Sequence, residues 1–333
     1  MYLHGLGHYH PDNEITNRFL EDLDIGTNDE WIMERVGIRA RRTSMSLDYI
    51  KTTRNADPRA AIEASSITNS EMAASAARLA VQRAGLELSD IGMVFSGSSA
   101  PDLASPCEAA YIARELGLEV PVLDINSACT SLFAQLYVLS LMREDALPPY
   151  VLVCAPEAVS RTVDYNDRTA AVLWGDAAAA AVVSLREPGR AEILGSRLSS
   201  SPDGAPHVVI PRLGHFAQAG RKVQMFAIKK TCETLQAIRA EYQDESRNFH
   251  FVGHQANLRM LENVCRRCEI EDEQHHFNVE WYGNTGCASA ATVMSMNWGK
   301  WTPMDDIGVV GVGAGLTWAA YWIRFGNSGV GQS

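Results

Sequence analysis

Short apolar runs bounded by turn residues alternate with segments of helical periodicity through the first half of the chain. Runs of about four to eight apolar residues indicate buried strands, whereas apolar residues three and four apart indicate helices that bury one face. The pattern predicts strands at residues 91–95, 121–125 and 150–155, and helices at 69–86, 108–116 and 131–142. Strands that alternate with helices are typical of an α/β fold with largely parallel sheets.

A similar alternation recurs in the second half of the chain. It predicts strands at residues 170–173, 177–184 and 249–252, and helices at 225–242, 258–267 and 288–298. The recurrence indicates two similar halves, 1–170 and 171–333. Because no low-complexity linker separates them, we expect the halves to pack as one body.

One apolar stretch, residues 307–323, has to be tested as a membrane span. It is 17 residues long, carries no charge and contains four glycines. A spanning helix needs about 20 apolar residues, and glycine disfavours helix. The stretch therefore predicts two buried strands joined by a glycine turn.

The composition narrows the possible partners. Hydrophobic residues make up 46% of the 333 positions, which is typical of a folded protein, and the net charge is −11. That charge argues against binding to nucleic acid or to an anionic membrane. The N-terminal residues lack the apolar core of a secretory signal, and the seven cysteines form no paired framework. We therefore expect a cytoplasmic protein with reduced thiols.

Cys129 is the first candidate for chemistry. It follows a predicted strand and a turn of small polar residues, and an apolar helix is predicted to begin there. The unpaired N–H groups at a helix start carry partial positive charge, so they are expected to favour the reactive thiolate. A buried structural cysteine is the commoner role of this residue type, and this segment alone leaves both possibilities open.

Two further strand ends carry polar side chains at similar positions. His254 follows a predicted strand and precedes a helix, and Asn284 lies in a glycine-bounded turn before another helix. Ligand sites of α/β proteins lie at such strand ends. Either residue alone would more often be a helix cap. Three such positions that carry Cys, His and Asn together indicate a catalytic set.

The chain resembles the β-ketoacyl-acyl-carrier-protein synthase III (KAS III) family, which consists of condensing enzymes of the thiolase superfamily. Besides Cys129, His254 and Asn284 in their local sequences, the matching strings are those of residues 28–39, 167–168, 174–177 and 313–318. The resemblance runs from about Gly5 to Phe325. It implies a thiolase-like α/β fold, with duplicated βαβαβαββ halves in a five-layered αβαβα arrangement. It also implies a homodimer.

The resemblance also implies a reaction in two halves. Cys129 would take an acyl group from a thioester, and the backbone N–H groups of Cys129 and Ala314 would form the oxyanion hole. A malonyl- or β-ketoacyl-type thioester would then lose CO₂, and His254 and Asn284 would stabilise the enolate. No metal or resident cofactor is implied, because the thioesters of coenzyme A or phosphopantetheine are substrates.

Binding roles follow from the same resemblance. Trp31 and Arg168 would hold the adenine of coenzyme A between them, and Arg35 would lie near the nucleotide phosphates. Lys229 and Arg259 would form a basic site for an acidic acyl carrier protein. The plainer alternatives are a core tryptophan and solvated surface charges, and these stay open.

Two departures from the family pattern concern specificity. Ser105 stands where relatives often carry a bulky aromatic residue that reaches across the dimer and closes the acyl pocket. Its absence predicts a primer longer or bulkier than acetyl. Val312 stands where the glycine loop usually begins with Phe, which leaves room for a different second substrate. Together they favour a specialised member of fatty acid or polyketide biosynthesis, of the kind found in secondary metabolism.

Competing interpretations remain. The same fold and cysteine suit an acyltransferase that moves the acyl group to oxygen or nitrogen without decarboxylation, or a hydrolase. A non-catalytic partner subunit is less favoured, because the catalytic set is intact. Cys287 is an alternative nucleophile. A zinc site is the remaining alternative, and its ligand types would come from Cys265, Cys268, His275 and His276.

Overall fold

The computed structural model describes residues 1–326. The strands are β1 (Tyr2–Tyr9), β2 (Asn13–Thr16), β3 (Ala40–Thr43), β4 (Ile91–Ser96), β5 (Val122–Asp124), β6 (Tyr150–Glu157), β7 (Ala177–Ser184), β8 (Ala191–Ser200), β9 (Val208–Val209), β10 (Ala217–Gln218), β11 (Asn248–Gly253), β12 (Asp305–Gly313) and β13 (Thr317–Phe325). The helices are α1 (Asn17–Asp22), α2 (Asp29–Arg35), α3 (Leu47–Thr53), α4 (Asn69–Ala84), α5 (Glu108–Leu116), α6 (Ser131–Ser140), α7 (Arg168–Ala171), α8 (Gly220–Tyr242), α9 (Leu258–Cys268), α10 (Val279–Tyr282) and α11 (Ser289–Met296).

Nine strands form one sheet in the order β11-β12-β13-β8-β1-β7-β6-β4-β5. The contact between β1 and β8 spans two residue pairs, so the sheet consists of two parts that meet at a narrow seam. Among the strands of residues 1–326, only the pairs β4–β5, β4–β6 and β11–β12 are parallel. The expected largely parallel sheets are therefore wrong. β12 and β13 are joined by a short turn, which forces them to be antiparallel, and β1 and β7 are antiparallel as well.

The helices form three layers around the two parts of the sheet. Helices α4 and α5 pack on the outer side of β4, β6 and β7, and α8 and α9 pack on the outer side of β11–β13. Helices α6 and α11 lie between the two parts and contribute to one core with strands from both. This αβαβα order is the five-layered thiolase-like arrangement that the resemblance implied.

The element predictions hold with one exception. The predicted strand 170–173 is wrong, because α7 ends at Ala171 and a turn follows at residues 172–173. Asp167 caps the start of α7 by accepting a hydrogen bond from the Thr169 N–H. A short apolar run does not distinguish a strand from a helical turn. The stretch 307–323 forms β12 and β13 as predicted. Among the described residues, no helix is long and apolar enough to cross a membrane.

The division at residue 170 remains a prediction. Strand β7, which lies beyond that boundary, pairs with β1 and β6 of the preceding segment. The last seven positions of the predicted second half, 327–333, lie outside the described residues.

Candidate active site

A cavity of about 410 Å³ brings the three predicted catalytic side chains together. Cys129, His254 and Asn284 all line it, and so does Ala314 of the glycine loop. Each lies close to the point where a strand end leads into a helix: before α6, after β11 and before α11. Charged side chains are nearly absent from the lining, because Arg35 at the mouth is the only Asp, Glu, Lys or Arg among the described residues that form it.

A tight turn presents Cys129 to the cavity. Ala128 has a φ of 48°, a left-handed conformation that non-glycine residues rarely adopt. The Ser131 hydroxyl holds this turn, because it accepts from the Ser127 N–H at 2.9 Å and donates to the Ala128 carbonyl at 2.7 Å. Helix α6 begins at Ser131 and not at Cys129, so the cysteine precedes the helix by two residues.

The thiol of Cys129 is not poised as a thiolate. Burial raises its pKa to about 12, and the nearby Glu157 raises it further, whereas the N–H groups of Cys129 and Ala314 act in the opposite direction. The expected shift toward thiolate is therefore wrong. Desolvation outweighs the helix start because the cysteine lies outside the first helical turn, where the dipole effect is concentrated.

The glycine loop is fixed to the cysteine turn by two threonines. The hydroxyls of Thr130 and Thr317 lie 2.8 Å apart, and Thr317 also donates to the Ala314 carbonyl at 3.1 Å. Gly313 lies so close that a Cβ there would be 3.3 Å from the Cβ of Cys129. These contacts hold the glycine loop beside the sulfur, and the Ala314 N–H acts to lower the pKa of Cys129, as expected of a donor that faces the reacting centre.

His254 is held as a neutral imidazole. Its backbone N–H donates to Val310 at 2.8 Å, and a hydrogen bond of 2.8 Å joins its Nδ1 to the Ser289 hydroxyl. Ser289 also accepts from the Gln255 N–H at 3.4 Å, which favours donation of the hydroxyl hydrogen to Nδ1 and leaves the ring hydrogen on Nε2. Burial lowers the pKa of His254 to about 4, so the ring stays uncharged near neutral pH.

Asn284 is oriented through its own oxygen. Its backbone N–H donates to Leu173 at 2.8 Å, and its carbonyl accepts from Gly175 at 3.0 Å. The side-chain Oδ1 accepts from the Gly286 N–H at 3.0 Å, so the amide NH₂ is the group that is available to the cavity. Together with the Nε2–H of His254, it supplies a second neutral donor.

The predicted coenzyme A residues meet at the cavity mouth. Trp31 and Arg35 line the cavity. The guanidinium carbons of Arg35 and Arg168 each lie 4.9 Å from the centre of the Trp31 ring. An adenine ring stacked between Trp31 and Arg168 would need about 3.5–4 Å to each of them, which is a separation of roughly 7 Å between the tryptophan ring and the guanidinium group. Arg168 therefore has to move before adenine can enter.

Three other predicted binding residues, Ser105, Lys229 and Arg259, lie apart from the cavity. Ser105 is exposed and does not line it, whereas Val312 does. Lys229 is exposed and lies 3.8 Å from Glu233. Arg259 is already engaged, because it donates to the Met33 carbonyl at 2.8 Å and to the Glu262 carboxylate at 3.0 Å.

The alternative sites do not assemble. Among residues 1–326 no cluster of three or more His, Cys, Asp or Glu side chains has the arrangement of a metal site. Cys265 and Cys268 are buried in α9 against the core. Cys287 is buried as well, and its thiol donates to the Gly97 carbonyl at 3.2 Å without lining the cavity.

Comparison with known proteins points to one family. The family model described as 3-oxoacyl-[acyl-carrier-protein (ACP)] synthase III matches residues 123–202, and the model of its C-terminal part matches residues 245–325. The β-ketoacyl-[acyl-carrier-protein] synthase III of Bacillus pumilus is 33% identical over 328 residues, which are 97% of this chain and 98% of that protein.

Solved structures agree with this result. The synthase III of Thermus thermophilus superposes with a TM-score of 0.85 at 30% identity, over 98% of this chain and all of the other. A priming β-ketosynthase from the R1128 polyketide biosynthetic pathway superposes with a TM-score of 0.82 at 25% identity, over 98% and 96% of the two chains.

Proposed function

This chain belongs to the β-ketoacyl-[acyl-carrier-protein] synthase III family of acyl-transferring condensing enzymes, and we propose that Cys129, His254 and Asn284 carry out its reaction. The observation that carries the assignment is that all three side chains line one cavity with almost no charged groups. The family resemblance alone identifies the residue types, whereas the shared cavity allows all three side chains to act on one bound substrate.

In the first half-reaction Cys129 takes the acyl group. Its sulfur attacks the thioester carbonyl, the bond to the carrier sulfur breaks, and the thiol hydrogen ends on the departing thiol. The N–H groups of Cys129 and Ala314 stabilise the oxyanion between these steps. Because the resting thiol has a raised pKa, the proton leaves as the sulfur attacks and not beforehand.

In the second half-reaction a malonyl-type thioester loses CO₂ in the same cavity. The electron pair of the broken C–C bond becomes an enolate, to which Nε2 of His254 and the amide of Asn284 donate hydrogen bonds. The enolate carbon attacks the acyl group on Cys129, and the released sulfur takes up one proton. A neutral His254 stabilises the enolate without protonating its carbon, which fits a pKa lowered to about 4.

We propose a primer longer or bulkier than acetyl, and a role in specialised metabolism. The support is the small side chain of Ser105 together with Val312 on the cavity wall. A related protein of the same fold is a priming ketosynthase of a polyketide pathway. The functional enzyme is proposed to be a homodimer, since the sheet ends at the short β5 strand and Leu123 on that edge is exposed.

An acyl carrier protein is the proposed donor of at least one substrate. The segment 204–232 borders the cavity mouth and contains five Lys or Arg residues and no Asp or Glu, although the whole chain has a net charge of −11. Two of the five, Lys229 and Lys230, contact Glu233, which follows the segment. Leu213 and Met225 in this segment are 76% and 65% exposed. An acidic, partly apolar partner helix fits such a surface. Because Arg259 is engaged by Met33 and Glu262, the docking site is centred on this segment, which includes Lys229.

The direct test combines acyl loading with CO₂ release. Purified protein is incubated with acyl-coenzyme A esters from acetyl to myristoyl, and its intact mass is measured beside the Cys129→Ala variant. A single acyl adduct that is absent from the variant, followed by CO₂ release on addition of malonyl carrier protein, supports the proposal. Loading without CO₂ release from any malonyl thioester would favour the simple acyltransferase.

A further inference from the structure

Glu157 is a buried carboxylate beside the active site that the proposed reaction does not use. It ends strand β6 and has no exposed surface. Its Oε1 accepts hydrogen bonds from the Ser98 hydroxyl at 3.0 Å and from the N–H groups of Ser99 and Ala100 at 3.1 Å. Its Oε2 accepts from the Cys287 N–H at 3.2 Å. Among the described residues, no Lys or Arg forms an ion pair with it.

The contact with Cys287 leads directly to Asn284. Cys287 belongs to the single turn Gly286–Ala288, which precedes α11. The N–H of Gly286, the first residue of that turn, donates to Oδ1 of Asn284 at 3.0 Å. The Glu157 carboxylate therefore holds the turn that orients the Asn284 amide.

Gly286 shows how closely the carboxylate fits the turn. Its φ is 53°, and a Cβ at this position would lie 2.4 Å from Oε2 of Glu157. A side chain at position 286 and a carboxylate of this length cannot occupy the same space. The glycine is thus required by Glu157 as well as by the backbone conformation.

We infer that Glu157 is a positioning residue, which fixes the Asn284 amide for enolate stabilisation through the Gly286–Cys287 turn. It touches no substrate. This inference rests on the proposed function, because it assigns Asn284 to the second half-reaction. Without the carboxylate, the Cys287 N–H loses its acceptor, the turn is free to rotate, and Asn284 can present its oxygen to the enolate in place of its NH₂.

A purely structural role gives a different pattern. Glu157 also ties down the loop at Ser98–Ala100, so its loss could weaken the fold in general. General damage lowers both half-reactions together and lowers the melting temperature. A positioning role lowers condensation far more than acyl loading, because Cys129 and Ala314 do not depend on the orientation of Asn284.

The first experiment uses Glu157→Gln in the full chain. The rate of acyl loading on Cys129 is followed by intact mass, and CO₂ release from the preloaded enzyme is measured separately. We expect loading to be no slower than in the wild type, since loss of the Glu157 charge favours ionisation of Cys129, and condensation to be reduced by about tenfold to a hundredfold through the lost supporting hydrogen bond. Equal losses in both half-reactions, or no loss in either, would overturn the inference. If the wild-type protein itself neither loads nor condenses, the proposed function fails, and the inference that rests on it fails too.

A second experiment tests the fit between Glu157 and Gly286. Gly286→Ala is expected to reduce condensation strongly, because its Cβ collides with Oε2. In the Glu157→Ala background, which lacks the side-chain atoms that this Cβ meets, Gly286→Ala is expected to cost about tenfold less than it does in the wild type. Gly117→Ala is the matched control, since Gly117 has a φ of 71° and nothing within 4 Å of its Cβ position. If Gly286→Ala costs as much without the Glu157 side chain as with it, the carboxylate does not position the turn and the inference is wrong.

Discussion

At the scale of single residues, burial decides the chemistry of Cys129. Its pKa is raised to about 12 by desolvation and by Glu157, so only a small fraction is thiolate at neutral pH. Alkylation by iodoacetamide requires the thiolate. We predict that its rate at Cys129 rises about tenfold per pH unit between roughly pH 7 and pH 10.

Peptide mapping separates this site from the other partly exposed thiols, Cys107 and Cys232. Cys129→Ala serves as the blank. A rate that is already constant between about pH 6 and pH 8 would show a thiolate at rest and contradict the prediction.

Ser289 is the residue that fixes the ring of His254. We predict that Ser289→Ala lowers the rate of condensation about tenfold and leaves acyl loading of Cys129 unchanged, because the hydrogen bond to Nδ1 is lost. Ser295→Ala is the matched control, since Ser295 lies on the same helix and its hydroxyl bonds to Nδ1 of His8 at 2.8 Å. A similar loss in both variants would mean that α11 is merely destabilised.

The reactive residues can be predicted from the sequence more readily than the residues that hold them in place. Cys129, His254 and Asn284 are recognisable because each combines a reactive side chain with a turn after a strand. Thr130, Thr317 and Ser289 were missed. The two threonines that meet across the glycine loop are 187 positions apart, and nothing in the local pattern around either one indicates that contact.

At the scale of elements, the turn between β12 and β13 acts as one wall of the oxyanion site. We predict that Thr317→Val slows acyl loading of Cys129 about tenfold, because the Ala314 N–H loses its support from the Thr130–Thr317 contact. Thr317→Ser keeps the hydroxyl and should load at nearly the wild-type rate. Equal loading by Val and Ser variants would show that strand pairing alone fixes the loop. Loading is measured by intact mass over time.

The errors at this scale have a common physical origin. Predicted helix limits differ from the observed ones by a few residues, and α8 begins at Gly220 and not at residue 225. Strand direction was not predictable from the repeated alternation, because a buried strand has the same pattern of apolar residues in a parallel pair as in an antiparallel pair. The segment 170–173 became a helical turn because Asp167 caps it.

At the scale of the whole molecule, charge is unevenly distributed. Arg221 and Lys222 are exposed at the start of α8, near the cavity mouth, and form no ion pair among the described residues. We predict that Arg221→Glu/Lys222→Glu raises the KM for carrier-protein substrates by about tenfold, with little change for coenzyme A substrates. The reason is that docking of an acidic carrier protein depends on the electrostatic potential of the surface that it contacts. Arg266→Glu/Arg267→Glu at the far end of α9 makes the same charge change and is the control. Equal effects on both classes of substrate would argue against docking at this segment.

The duplicated architecture explains why the site is predictable at all. The cysteine turn leads into α6 and the Asn284 turn into α11, and both helices lie in the central layer between the two parts of the sheet. A repeated strand-to-helix pattern in the sequence therefore becomes a pair of facing helix starts in the fold. What the repeat does not encode is the cavity wall that a second copy would supply in the proposed homodimer, and this is where Ser105 would act.

Ser105 lies on an exposed loop and outside the cavity of its own chain. If two copies associate along the β5 edge, this loop can reach the partner's cavity, and the small serine leaves space for a long or bulky primer. We predict that Ser105→Phe restricts acyl loading to short primers and leaves the rate with acetyl within about threefold. The chain-length profile by intact mass measures this, and Ser75→Phe, on the outer helix α4, controls for an added surface ring. A wild-type profile limited to acetyl, or an unchanged profile in the variant, would mean that the partner's loop does not set the primer, whatever the oligomeric state found by light scattering.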